Sequence, residues 1–162
     1  MISINNKARI GHVHLKVSSI DQSLNFYCGI LGFQLKQRIG NSAAFIAAGD
    51  YHHHIGLNTW ESSNGTHPPI GSTGLYHLAI LYPERRDLAD ALHRLMQNNI
   101  SLTGASDHGV SEALYLDDPD RNGLELYWDR PENKWPRDEN NNLQMYTKQL
   151  DINSLLEELN YS

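Results

Sequence analysis

One order of elements occurs twice along this chain, and that repetition limits what it can fold into. The first copy opens with His12-Val13-His14-Leu15-Lys16-Val17 and the second with Tyr76-His77-Leu78-Ala79-Ile80. Each is a short apolar run with a histidine near its start, and alternation over so few residues marks a strand. In the first copy a helix is expected from about residue 20 to 31, capped by Ser19 or Asp21, with Leu24, Tyr27 and Leu31 as its apolar stripe and Gly32 as its stop. Strands at about 33–39, 43–48 and 53–59 follow, with turns at Gly40-Asn41-Ser42 and Gly49-Asp50. The polar, Gly/Pro-rich stretch 61–74 then joins the halves.

The second copy restarts with a strand at 75–82 and a helix from Pro83 to about Asn98, with Leu88, Leu92, Leu95 and Met96 on one face. Strands at about 100–105, 112–117 and 123–128 complete it, the last two joined by the turn Asp118-Pro119-Asp120-Arg121-Asn122-Gly123. That turn lacks the 12-residue calcium-loop pattern with its terminal Glu. Helices on one face of antiparallel hairpins make an α+β architecture. After Pro131 the composition turns polar, so residues 132–144 read as a surface arm. Ile152, Leu155, Leu156 and Leu159 then mark a short amphipathic helix capped by Asp151, packed on its own domain in preference to a partner chain.

The leading histidines, His12 and His77, occupy matching places in the two copies. Each alone is as readily a hydrogen-bonded core histidine. Glu125 changes the balance: it sits between Leu124 and Leu126, and a carboxylate on a buried strand face needs a cation. Together the three suit one divalent metal, because two imidazoles and a carboxylate match a borderline ion such as Fe(II) with positions left open. His52-His53-His54 falls in an expected strand, so one inward histidine there can exchange protons beside the metal. Tyr115 should lie next to Glu125 across the last turn, where its hydroxyl can orient a substrate, and His108 stands in the loop ahead of it.

Bulk properties exclude other classes. The chain has 162 residues, enough for one domain or two halves, and a net charge of −6. Without a basic stripe it is a poor ligand for nucleic acid. No run is long and apolar enough for a membrane span. Met1–Lys7 lacks the apolar core of a signal peptide, and the single Cys28 rules out an internal disulfide, so a cytoplasmic location is expected. No phosphate-binding glycine loop and no Gly-x-Ser-x-Gly elbow is present.

His12 through Val17, Ser23-Leu24-Asn25-Phe26-Tyr27 and Leu31-Gly32-Phe33 together resemble the opening of vicinal oxygen chelate domains, the superfamily of glyoxalases, bleomycin-resistance proteins and extradiol dioxygenases. Tyr76-His77-Leu78-Ala79 and Asp118-Pro119-Asp120 through Gly123-Leu124-Glu125-Leu126 resemble its second-half signatures. The likeness covers about residues 9–131, with modules at about 9–60 and 75–131. His52 through Leu57 and Gly104 through Gly109 look most like catechol 2,3-dioxygenase-like members.

The resemblance implies two paired βαβββ modules forming a cupped mixed sheet around a metal held by His12, His77 and Glu125, with residues 132–162 as an arm and helix outside the fold. It implies Fe(II), with Mn(II) or Zn(II) as alternatives, and a homodimer. In the extradiol branch His53 matches an acid/base histidine better than His54, Tyr115 matches a tyrosine of that branch, and His108 matches a polar loop residue of different type. The implied function is extradiol cleavage of a catecholic small molecule by O₂. The alternatives are an O₂-independent isomerase, epimerase or thiol transferase, or a binding and resistance protein. Gly56 stands where glyoxalase I has a further Glu ligand, which counts against that activity.

Overall fold

The computed structural model describes residues 3–160; Met1 and Ile2 of the opening segment, and Tyr161 and Ser162, lie outside the described residues. The chain divides into two compact units, Met1–His67 and Pro68–Ser162.

In the first unit β1 (Val13–Lys16) turns Leu15 inward and leaves His14 and Lys16 exposed. Helix α1 (Ile20–Leu24) is capped by Ser19, whose hydroxyl accepts from the Gln22 N–H at 3.4 Å. The regular helix expected up to residue 31 is not what forms. From Asn25 to Ile30 the chain widens into a π-helical stretch. The extra residue per turn lets the successive side chains Phe26 and Tyr27 both bury, their rings edge-on at 5.1 Å. Gly32, at φ +89°, ends it in the left-handed conformation that only glycine adopts freely. Strands β2 (Gln34–Ile39), β3 (Ala43–Ala47) and β4 (Ile55–Asn58) follow, and the sheet order is β1-β4-β3-β2 with β1 parallel to β4. Its core is Leu15, Ile20, Tyr27, Ile46, Ile55 and Leu57.

The second unit repeats that topology. Strand β5 (Leu78–Tyr82) leads into α2 (Arg85–Gln97), which starts two residues later than the Pro83 start expected. Glu84 is its N-cap, in a reciprocal capping box with Asp87. Leu88, Leu92 and Leu95 are buried on one face of α2, whereas Met96 is exposed, one step of about 100° round the helix from Leu95. Strand β6 spans Gly104–Asp107, not 100–105, because Ile100 is used to close the helix end: its N–H donates to the Leu95 carbonyl at 2.9 Å, after Asn99 at φ +55°. Strands β7 (Ser111–Asp117) and β8 (Gly123–Asp129) pair antiparallel, and β5 pairs parallel with β8. Leu114, Leu116, Leu124 and Leu126 are buried with the α2 leucines. Between β7 and β8 the Asp118 carboxylate accepts from the Asp120 and Asn122 N–H groups at 2.8 Å, so the loop is a closed turn.

Beyond Asp129 the arm does more than lie on the surface. The Trp135 indole N–H donates to the Arg130 carbonyl at 2.7 Å, and β9 (Lys148–Gln149) adds a fifth strand, giving the order β5-β8-β7-β6-β9. A two-residue strand has no periodicity to show in a sequence. Helix α3 (Ile152–Glu157), capped by Asp151, buries Leu155 and packs on α2 of the same chain.

An ion network binds these layers. Glu112, 5% exposed, takes Arg85 on one oxygen at 2.8 Å and Arg130 on the other at 2.6 Å. Arg85 also reaches Glu158 at 2.7 Å, and Arg130 reaches Asp107 at 2.6 Å. Removing the shared carboxylate leaves two part-buried guanidiniums short of charge. Glu112→Gln is therefore expected to destabilise the protein by about 3–5 kcal/mol, read as a fall in the urea midpoint.

Burial raises the Asp107 carboxyl, but hydrogen bonds from Arg130 and the Gly109 N–H and the charges of Arg130 and Lys148 outweigh it, holding it below 3.8. A carboxyl depressed on folding contributes stability that is full above its unfolded pKa and lost as pH falls through the folded value. Urea midpoints measured downward from pH 6 should fall below about pH 4, and Asp107→Asn should remove part of that acid sensitivity.

Candidate functional site

Strand alternation decides where the second unit's polar residues go. Leu124 and Leu126 are buried on the side of the sheet that carries α2, so Glu125 between them faces the opposite side. In register with it on that open face stand Ala79 on β5, Tyr115 on β7 and, beyond Tyr115, Gly104 on β6. His77 stands immediately before β5, as His12 stands immediately before β1 in the first unit. Close approach of His77 to β8 depends on Gly123: a Cβ there would run into the Tyr76 carbonyl oxygen and lie 3.3 Å from the His77 Cβ.

The result is a continuous row of polar contacts. His77 Nε2 lies 3.0 Å from Glu125 Oε2, and the Tyr115 hydroxyl donates to Glu125 Oε1 at 3.0 Å. His108 Nε2 lies 2.8 Å from the Tyr115 oxygen. Burial and the Glu125 charge push the Tyr115 hydroxyl up to about 12, so it remains a donor at neutral pH. His77, Ser106, His108 and Tyr115 line a cleft of about 560 Å³.

The His77–Glu125 pair fits a metal. Two ligand atoms each about 2.1 Å from one ion and at right angles are about 3.0 Å apart, which is the separation between Nε2 and Oε2. The Tyr115 bond to the other carboxylate oxygen fixes which oxygen faces the imidazole, the outer-shell support that metal ligands need. His77 Nδ1 is buried and makes no hydrogen bond among the described residues. Neither unit by itself gathers three His, Cys, Asp or Glu side chains around one point among the described residues. The second unit thus places two side chains, His77 and Glu125, where they could hold one ion.

The first unit carries the other histidines. His52, His53 and His54 precede β4 and are not within it, so strand alternation does not sort them as expected. Contacts sort them instead. His53 lies against His12, ring centroids 4.6 Å apart, and edge-on to Phe45 at 5.1 Å. Its Nδ1 is 2.7 Å from that of His52. His54 is tied down: its main chain bonds to Val13 and Ile46, and its Nδ1 accepts from the Ala48 N–H at 3.3 Å. Burial, then the charges of His12 and the other neighbouring imidazoles, lower the His53 pKa. The His14 ring covers Gly56, where a Cβ would come within 3.0 Å of it.

Of the residues expected at the site, His77, His108, Tyr115 and Glu125 come together in the second unit, and His12 and His53 in the first. The sequence reading missed Tyr146 and Thr147, whose main-chain carbonyl and hydroxyl oxygens both lie 3.2 Å from His108 Nδ1. Only the register of β9 on β6 points to them.

The model of the Glyoxalase/Bleomycin resistance protein/Dioxygenase superfamily matches residues 9–126. A catechol-2,3-dioxygenase of Bacillus subtilis (strain 168) is 44% identical over 98% of this chain and 54% of its own length. A biphenyl-2,3-diol 1,2-dioxygenase of Rhodococcus globerulus is 29% identical over 75% of this chain and 63% of its own. The chain thus spans between about half and two thirds of the length of the curated relatives it matches. Among solved structures, a glyoxalase/dioxygenase from Nostoc punctiforme shares the fold at TM-score 0.65 and 20% identity, covering 81% of this chain and 97% of that one. A glyoxylase/bleomycin resistance protein/dioxygenase domain from Frankia shares it at TM-score 0.63 and 25% identity, covering 76% and 98%.

Gly123→Ala is expected to push the start of β5 off β8 and part His77 from Glu125. Divalent-metal affinity measured by titration calorimetry should fall at least tenfold, the scale seen when outer-shell support of a ligand is lost.

Proposed function

The chain belongs to the Glyoxalase/Bleomycin resistance protein/Dioxygenase superfamily, and from that premise we propose that it is a metal-dependent extradiol dioxygenase that opens the ring of a catecholic small molecule. The observation that carries this is the row His77–Glu125–Tyr115–His108 on the open face of the second sheet. The 44% identity to a catechol-2,3-dioxygenase supports it. His77 and Glu125 are two ligands of the proposed metal, and His12, by its place in the motif, is the third. Fe(II) is the ion favoured, within a catalytic region of residues 1–131. When bound, the metal supplies Lewis acidity toward the diol and holds the reactants together.

The chain's own residues have distinct parts. His53, held neutral by burial and neighbouring imidazoles, is able to take a proton from a diol hydroxyl. The Tyr115 hydroxyl donates to Glu125 and holds that carboxylate in place beside His77. His108 touches Tyr115 rather than the reacting atoms, so it is a positioning residue. Glyoxalase I chemistry is disfavoured because its extra carboxylate would stand at Gly56, under the His14 ring.

Anaerobically Fe(II)-loaded protein should consume one O₂ per ring opened when given a panel of catechols. Tyr115→Phe should lower kcat by about ten- to a hundredfold with a smaller change in KM. No O₂ uptake with any catechol by protein that holds its iron would sink the proposal.

A further inference from the structure

The arm beyond Pro131 has no part in the function proposed above, yet it grips a residue of the site. Strand β9 pairs with β6 so that Ser106 opposes Gln149 and Asp107 opposes Lys148. One residue further along the same register Thr147 stands opposite His108, and facing residues of an antiparallel pair project to the same side. The Tyr146 N–H donates to the His108 carbonyl at 3.3 Å. The approach is too close for any side chain at Gly109, where a Cβ would lie 2.7 Å from the Tyr146 ring and 2.8 Å from Pro136. The Lys148 ammonium sits 4.4 Å over the Tyr146 ring, a contact within the strap itself.

Hydrogen-bond polarity runs along the row in one direction. The carboxylate of Glu125 only accepts, so the Tyr115 hydroxyl spends its proton there. Its oxygen then offers His108 only lone pairs, and His108 Nε2, 2.8 Å away, must carry the ring proton. A neutral His108 therefore presents a bare Nδ1 to the strap. The Tyr146 carbonyl at 3.2 Å cannot donate to it, whereas the Thr147 hydroxyl at 3.2 Å can. Without that hydroxyl the protein atom nearest the Nδ1 lone pair is the Tyr146 carbonyl oxygen, which brings a second lone pair against it. Moving the proton to Nδ1 relieves this, since the ring then donates to the Tyr146 carbonyl, but it leaves Nε2 an acceptor that competes with Glu125 for the Tyr115 proton.

We propose that the C-terminal strap is part of the site and that Thr147 is a positioning residue, fixing His108 as the Nε2–H tautomer that holds Tyr115 toward Glu125. The proposal rests on the reading of this cleft as the active site only for what Tyr115 does there. The tautomer itself is read without turnover, so a protein that consumes no oxygen still answers the question.

The test is the long-range 1H–15N ring spectrum of His108 in the full chain, with Zn(II) added as a diamagnetic metal, at about pH 8.5 where an ordinary imidazole is neutral. The parent protein should show the proton on Nε2. Thr147→Val should move it to Nδ1, and Thr147→Ser, which keeps the hydroxyl, should leave it on Nε2. Gly109→Ala, which pushes the strap away, should shift the ring signals as Thr147→Val does. An Nδ1–H tautomer in the parent, or an unshifted His108 ring in Thr147→Val, would overturn the proposal.

Discussion

A carboxylate between two buried leucines is the constraint on which the site depends. Leu124 and Leu126 are drawn to the helical side of the sheet by the core they share with α2, and the pleat then forces Glu125 to the other face. There it is mostly enclosed, with its side chain 15% exposed, and an enclosed carboxylate must be served by donors or a cation. Tyr115 serves one oxygen and His77 faces the other. The hydrophobic pattern that builds the core thus also aims the charge, and a register slip of one residue would exchange the two faces.

The ion network makes that register hard to slip. Glu112 on β7 joins Arg85 on α2 to Arg130 just past β8, and Asp107 on β6 and Glu158 past α3 extend it. Strands, helix and C-terminal segment are therefore clamped on the side of the sheet remote from Glu125. Because Glu112 is shared between two guanidiniums, each of its oxygens has a charged partner, which is the condition under which buried ions are tolerated.

Much of this was legible in the sequence. The repeat of strand, helix and three strands is present in both units, and the paired places of His12 and His77 follow from it. Tyr115 and Glu125 are in register because the Asp118 turn is tight enough to fix the hairpin. The failures have local causes. The π-helical stretch gives no signal because adjacent aromatics, Phe26 and Tyr27, do not fit a 3.6-residue stripe. The histidines 52–54 looked like a strand start, but β4 begins only at Ile55 and ring contacts distinguish them. The strap was unreadable because it is held by two residues of β-pairing, an indole bond and Gly109, none of which has a period.

The most direct test of the account is anaerobic calorimetric titration of Fe(II) into the metal-free full chain, alongside His77→Ala, Glu125→Ala and His12→Ala. The account predicts one ion per chain for the parent protein and loss of that binding in all three variants, which remain folded. Unchanged binding in His77→Ala or Glu125→Ala would mean that the 3.0 Å pair is an ordinary histidine–carboxylate contact, and that no metal centre stands on the open face of the second sheet.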